Sequence, residues 1–425
     1  MIQHFITFLN NGSRYIGDGT DDYVKEPVKI MDNVSAVQTN GSTTFALKTD
    51  GTLWAWGRNS TGLMGDGTRT VSSPIPVYFT IPDILRLPDE ASPGDSQDNE
   101  SRYIVNADRA VPHKIIDDVI SFSLGERHAM AVKSDGSLWG WGSRSSLMIG
   151  NISNNPSTES SQISDEDAML WNGYELIPIR ILGDVKHVVV AGHGATFAIR
   201  NDNSLWGWGD IRFDARTGAG NVPRYLYTPV KIMDDVARVY PGRSNTFAVK
   251  KDGSLWGWGS NYFGMMGNGE RSNRMTGDAR NVFSPVKILD EVAFVSADSQ
   301  KFMMVIRNDG SLWSWGHNWS GELGRGTKGM VLESVHAYFS PYKIMEDIVY
   351  VTSGGGFRDY TVAIKNDGTL WTWGEWALAD RINIYKGSHE SSTGTPTMFM
   401  DLPNSQRYLH KACCLPMPPT EPENS

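Results

Sequence analysis

Nine histidines, two cysteines and 48 Asp and Glu side chains are the raw material for any acid–base, nucleophilic or metal chemistry in this 425-residue chain. Their spacing assembles none of the usual machinery. There is no Gly-x-x-x-x-Gly-Lys-Ser/Thr loop to cradle a phosphate and no His-Glu-x-x-His helix face to hold zinc. His187 and His193 are close in sequence, but no Cys or carboxylate stands at a fixed offset to complete a metal site. Asp165-Glu166-Asp167 offers oxygen ligands without the alternating spacing and the Gly of a calcium loop. Gly65-Asp66-Gly67-Thr68 and its copies read as turns, not phosphate cradles. Cys413 and Cys414 are adjacent in a Pro-rich tail, which excludes a disulfide framework. On this reading the chain is not an enzyme and carries no catalytic, cofactor-binding or metal residues.

What the polar and aromatic residues can do is bind. They recur in short loops at equivalent places: Gly125-Glu126-Arg127-His128, Gly192-His193-Gly194, Gly242-Arg243-Ser244-Asn245, Asp298-Ser299-Gln300-Lys301 and Phe357-Arg358-Asp359-Tyr360. Variable loops held at one end of an invariant scaffold are suited to protein recognition. Arg127, His128, His193, Arg243, Asn245, Lys301, Arg358, Asp359 and Tyr360 are therefore the expected partner-binding residues. Trp171 and Tyr174, at the end of an acidic insertion, join them.

The scaffold is a repeat. Lys251-Asp252-Gly253-Ser254-Leu255-Trp256-Gly257-Trp258-Gly259 has near copies whose Trp pairs begin at Trp54, Trp139, Trp206, Trp313 and Trp371. The six pairs are spaced by 85, 67, 50, 57 and 58 residues, and a period near 50 with a Gly/Trp signature marks a radial β-repeat. Asp-Gly between two apolar runs predicts a hairpin with a type I′ turn. Residues two apart on a strand share a face, so the indoles of a pair project together, and the residue between them is always small (Ala55, Gly140, Gly207, Gly257, Ser314, Thr372). Both indoles are expected in the core, filling space against the neighbouring sheet. Before each hairpin runs a Pro-initiated strand such as Pro229-Val230-Lys231-Ile232-Met233, expected to be the outer strand of that same blade, because proline suits an edge.

Four strands per repeat predict an all-β, seven-bladed β-propeller. Residues 5–20 look like a reduced repeat, and residues 396–402 like an outer strand with no hairpin after it. A blade shared between the N- and C-terminal segments is therefore expected to close the ring and remove exposed edges. The reading is one domain over 1–412, with insertions at 69–111 and 151–177, and a disordered tail at 413–425. The second insertion carries five acids and no Lys or Arg.

Asp and Glu outnumber Lys and Arg 48 to 39, giving a net charge of −9. That disfavours nucleic acid and anionic membranes, which select a basic face. No run of 18 apolar residues exists, and residues 1–9 lack a basic region and a cleavage site, so a cytoplasmic monomer is expected.

Trp56-Gly57-Arg58-Asn59-Ser60-Thr61-Gly62-Leu63-Met64-Gly65 follows the pattern Trp-Gly-x-Asn-x-x-Gly-x-x-Gly, which returns at 258–267 and 315–324. With the preceding Phe-Ala-Val/Leu-Lys-x-Asp-Gly it resembles the regulator of chromosome condensation repeat family, over nearly the whole chain. The resemblance implies a seven-bladed propeller. It also brings a range of functions: a guanine-nucleotide exchange factor for the GTPase Ran that docks on nucleosomes, and a secreted bacterial inhibitor of β-lactamases. Family copies place a His before the apolar strand. His128 keeps it, whereas Thr43, Ala195, Asn245, Phe302 and Tyr360 replace it. The expected function is a non-enzymatic protein-binding scaffold using one face, with a basic or mixed partner surface. The alternatives are nucleotide exchange on a small GTPase and inhibition of a secreted enzyme; carbohydrate cleavage would need convergent carboxylates that the loops do not supply.

Overall fold

A computed structural model of the chain describes residues 16–20, 27–70, 107–143, 149–150, 173–191, 194–210, 225–242, 245–270, 282–296, 301–326, 338–354, 359–374 and 393–401. These residues form six four-stranded antiparallel sheets. The first comprises β1 (Val34–Thr39), β2 (Thr43–Lys48), β3 (Leu53–Gly57) and β4 (Arg109–Ile116). The second comprises β5 (Val119–Leu124), β6 (His128–Lys133), β7 (Leu138–Ser143) and β8 (Tyr174–Leu182). The third comprises β9 (Val185–Val190), β10 (Ala195–Arg200), β11 (Leu205–Asp210) and β12 (Tyr225–Met233). The fourth comprises β13 (Val236–Pro241), β14 (Asn245–Lys250), β15 (Leu255–Gly259) and β16 (Val282–Leu289). The fifth comprises β17 (Val292–Ser296), β18 (Phe302–Arg307), β19 (Leu312–Gly316) and β20 (Tyr342–Met345), and the sixth β21 (Ile348–Gly354), β22 (Tyr360–Lys365), β23 (Thr369–Gly374) and β24 (Thr393–Asp401). Strands within each sheet lie in chain order. No helix among the described residues is long and apolar enough to cross a membrane.

The fourth sheet shows why the repeat folds. Phe247 pairs with Gly257 and Ala248 with Trp256, so the small residue between the indoles leaves room for the Phe ring opposite. At the turn, Gly253 N donates to Lys250 O (3.0 Å), Lys250 N donates to Ser254 O (2.9 Å), and Gly253 has φ 80°. This is a type I turn followed by one left-handed residue, not the type I′ turn expected from Asp-Gly. The Asp side chain decides it. Asp252 Oδ1 accepts from Ser254 N (2.8 Å) and Ser254 Oγ (2.6 Å), an Asx-type clamp that leaves the left-handed geometry to the following residue alone. In the third sheet Asn203 takes that place at φ 66°.

The indole pairs do not share one environment. The second Trp of every pair (Trp56, Trp141, Trp208, Trp258, Trp315, Trp373) is buried. The first is half-buried, and its Nε1 donates to the turn hydroxyl, as Trp256 does to Ser254 Oγ at 2.8 Å. The buried indole reaches across to the preceding sheet. Trp141 stacks on Phe45 (5.9 Å, 9°) and donates to Leu63 O (2.8 Å), and Trp315 donates to Met265 O (2.7 Å). Apolar clusters accordingly lie between consecutive sheets, such as Phe45, Leu53 and Leu63 with Val119, Phe122 and Trp141.

Two topological expectations are corrected. The Pro-initiated strand completes the sheet of the hairpin before it: β12 pairs with β11 (Gly207↔Val230) and β16 with β15 (Gly257↔Val286). A two-residue link then steps to the next sheet, with Asp118, Asp184, Asp235, Glu291 and Asp347 at φ 59–63°. Each link is held by the preceding turn, as in Val236 N→Asn203 O and Val292 N→Gly253 O (both 2.8 Å). For the same reason residues 393–401 are not half of a shared blade. They pair with β23 (Trp371↔Met398, Thr372↔Thr397) and finish the sixth sheet. Most of the N-terminal reduced repeat lies outside the described residues. Its remnant at 16–20 docks on the first sheet through Gly19 N→Ala110 O (2.9 Å), as Gly67 N does on Leu176 O. Among the described residues the sheets number six and do not close a ring. Most of both insertions and the tail with Cys413 and Cys414 also lie outside them.

Candidate functional site

Antiparallel order gives each sheet two different ends. One carries the Asp-Gly turns and the two-residue links, locked by the repeated backbone bonds above. At the other end the second strand begins, the Trp strand finishes, and the loops between them differ from sheet to sheet. The chain must leave each Trp strand sharply there. At Gly316 (φ 112°) an added Cβ would lie 2.7 Å from Lys301 O, so only glycine lets the two strand ends approach.

The fifth and sixth sheets place most of the chemistry at this end. His317 follows β19, Glu322 lies five residues on, Lys301 precedes β18 and Asp359 precedes β22. His317 Nδ1 donates to Glu322 Oε1 at 2.6 Å. Glu322 is wholly buried. Its Oε1 also accepts from Trp319 N (3.1 Å), its Oε2 from Ser320 N (2.7 Å), and its backbone carbonyl from Trp373 Nε1 (2.8 Å) and Thr361 Oγ1 (3.1 Å). Lys301 Nζ donates to Asp359 Oδ2 at 2.7 Å, while the buried Asp359 Oδ1 meets no donor. Burial raises the Asp359 carboxyl above its ordinary range, against the lowering effect of Lys301. One coordinating atom each of His317, Glu322 and Asp359 lie within 4.8 Å of one another.

Above this cluster sits an aromatic surface. Trp319 is 65% exposed, Tyr262 41% and Tyr360 38%. Tyr262 meets Phe263 edge-on (4.7 Å), Phe263 meets His317 (5.4 Å), and His317 meets Trp319 (5.6 Å), so the rings run without a break from solvent to the buried imidazole.

The residues expected to bind a partner fall into distinct positions. Arg127, Tyr174 and Tyr360 are exposed at this end, with the Arg69 guanidinium 4.2 Å over the Tyr174 ring. Lys301 and Asp359 form the ion pair just described. His128 and Asn245 are buried and present no side chain to a partner, which corrects the expectation for both. His128 Nε2 lies 2.9 Å from Thr196 Oγ1, and burial drops its pKa to about 3, so it is a neutral strut between the second and third sheets. Asn245 Nδ2 donates to Met265 Sδ at 3.0 Å. His128 is covered by the second strand of the third sheet, and Asn245 by the loop that follows the Trp strand of its own sheet. Trp171, His193, Arg243 and Arg358 lie outside the described residues.

His317, Trp319, Tyr262 and Glu322 were not anticipated. A signal was present for Glu322. In the repeat pattern it occupies the position of Leu63 and Met265, both buried apolar residues, so a carboxylate there is a departure from the repeat.

Comparison with known proteins agrees with the repeat. Models of the regulator of chromosome condensation (RCC1) repeat match residues 34–62, 119–146, 239–264 and 309–361. The mitochondrial RCC1 domain-containing protein RUG3 of Arabidopsis thaliana is 26% identical over 236 residues, covering 47% of this chain and 47% of that protein. The chain thus matches about half the length of that relative. Prp20p of Saccharomyces cerevisiae, whose crystal structure is described together with its binding to Gsp1p and histones, superposes with a TM-score of 0.54 at 16% identity, over 95% of this chain and 89% of that one. Human WBSCR16 superposes with a TM-score of 0.52 at 16% identity, over 82% and 78%. The chain thus carries RCC1-type repeats at the matched residues and has the propeller-type fold of these structures.

Proposed function

We propose that this RCC1 repeat protein is a non-enzymatic binding scaffold that docks another protein on the variable end of its fourth to sixth sheets. The observation that carries the reading is the exposed aromatic group Trp319, Tyr262 and Tyr360, seated on a scaffold whose opposite end is locked by backbone bonds. Large aromatic side chains on a rigid base anchor interfaces, because they bury much area and lose little conformational entropy. Arg127 and Tyr174 extend the surface toward the second sheet. Prp20p, of like fold, is described by its binding to other proteins, which supports the same use here. The reading assigns the buried cluster no reaction.

The test is affinity capture from native lysate with the full chain, the Trp319→Ala/Tyr262→Ala variant, and a control at an exposed residue of β4 in the first sheet, Val111→Ser. The proteins captured by the first and third should be absent with the second. The same set on all three removes this face from consideration.

The likeness to Prp20p over nearly the whole chain favours a second reading, nucleotide exchange on a small GTPase. Exchange factors hold the nucleotide-free state, so release of a fluorescent guanine nucleotide from a panel of GTPases should accelerate when the chain is added. Unchanged release rates across the panel leave the scaffold reading alone.

A further inference from the structure

The cluster under Trp319 combines three features that a polar core network does not need together. Its coordinating atoms are of two kinds, an imidazole nitrogen and two carboxylates, and they converge from two sheets to within 4.8 Å. The contact between His317 Nδ1 and Glu322 Oε1 (2.6 Å) already holds the imidazole and one carboxylate side by side. Asp359, only 4% exposed, keeps Oδ1 without any donor. A buried acceptor left unpaired is costly, so something ordinarily fills such a place.

We propose that His317, Glu322 and Asp359 form a binding site for a borderline divalent cation of the zinc class. The donor set selects within the divalent ions. Calcium and magnesium prefer all-oxygen shells, whereas a nitrogen donor with carboxylates suits zinc. Three protein groups leave a coordination position for water or a ligand atom. The Lys301 ammonium is the built-in competitor: it holds Asp359 Oδ2 at 2.7 Å and neutralises one of the two carboxylates. A cation that takes Asp359 repels Lys301. The Lys301 side chain is partly solvent-exposed and can swing away. The ion would lie beneath the exposed Trp319 and join the two sheets across their boundary.

The competitor makes the test specific. Full-length protein stripped with a chelator is titrated calorimetrically with zinc chloride, alongside Asp359→Asn, His317→Gln and Lys301→Met. Thermal unfolding with and without zinc is the second readout. One equivalent should bind the wild type. Asp359→Asn and His317→Gln should each weaken that binding by at least about tenfold, while Lys301→Met should tighten it several-fold. A pair serving only structure would show no gain in affinity on loss of Lys301. If Asp359→Asn does not fold, Lys301→Met decides the matter alone. Unchanged or weaker zinc affinity in Lys301→Met, or wild-type binding in Asp359→Asn, overturns the proposal, as does the absence of any stoichiometric binding.

Discussion

The unequal burial of the two indoles in each pair leads to an unequal cost when either is trimmed. In the fifth sheet, Trp315 is wholly buried against the fourth and donates to Met265 O at 2.7 Å. Trp315→Phe vacates roughly 40 Å³ of close-packed interior, worth about 1 kcal/mol at about 24 cal/mol per Å³. It also strands a buried carbonyl, at about 1–3 kcal/mol. The sum is about 2–4 kcal/mol. Trp313, two residues earlier, is half-buried, and its Nε1 bonds Ser311 Oγ, a hydroxyl that keeps its own bond to Asp309 Oδ1 (2.5 Å). Trp313→Phe should cost only about 0.5–1 kcal/mol. Equilibrium urea unfolding followed by far-ultraviolet circular dichroism compares the two, because indole fluorescence is itself altered. A stacked array can unfold in steps, so midpoints are compared only where slopes agree. Amide exchange at Met265 and Met266 gives the local measure and should quicken in Trp315→Phe alone. Equal losses, or a larger loss for Trp313→Phe, would refute the assignment of the second indole as the joint between sheets.

Burial holds the pKa of His128 at about 3, against an ordinary 6.5 for the unfolded chain. Its contribution is therefore present above pH 6.5 and lost as pH falls from 6.5 toward 3, by up to about 1.4 kcal/mol per unit. His128→Asn should be less stable at pH 7.5 yet lose stability less steeply between pH 6.5 and 4.5 in denaturant titrations; an unchanged slope counts against it. The turn carboxylates Asp135, Asp202, Asp252 and Asp309 are held below the ordinary range chiefly by hydrogen bonds from the hydroxyl two residues on. That stabilisation is present above the unfolded value and lost as pH falls through the folded one. Carboxyl carbon shifts should show Asp252 titrating at higher pH in Ser254→Ala. Gly316→Ala places a Cβ 2.7 Å from Lys301 O at φ 112° and should cost about 1–3 kcal/mol. Gly41→Ala, at φ 91° with open space around its Cβ, should cost clearly less in the same unfolding assay.

The hairpins and the small residue between the indoles were legible because a strand repeats every two residues, and Phe-Ala-Val-Lys followed by Leu-Trp-Gly-Trp admits one register. Ownership of the Pro-initiated strand was not legible. Two residues separate Met233 from Val236, whereas β15 and β16 are joined by a long loop, so proximity in sequence argued for the wrong sheet. Short links are used here to step between sheets, with Asp or Glu forced to positive φ. The site was half legible. Lys301 and Asp359 were found from their loops, but as separate surface residues, since sequence does not show that the two pair across the boundary between sheets and bury the carboxylate. His317 and Glu322 fell on positions the repeat pattern leaves free.

Glu322 is where the repeat and the site make opposite demands, and a substitution can separate them. Leu63 and Met265 fill the same position in other sheets and supply the same carbonyl to the next indole. An apolar side chain there satisfies the packing. Burying a carboxylate instead is costly unless its partners compensate, and removing it alone leaves those partners unpaired. Glu322→Met loses the bonds from Trp319 N and Ser320 N, both near solvent, strips the buried His317 Nδ1 of its acceptor, and removes a buried charge. Relief of the buried charge offsets part of these losses, so stability should fall by about 1–3 kcal/mol. Zinc affinity should fall by at least about tenfold if the carboxylate serves the cation. A loss of more than about 3 kcal/mol would show instead that Glu322 is a cap required to fold its own loop. An unchanged zinc affinity would take it out of the site.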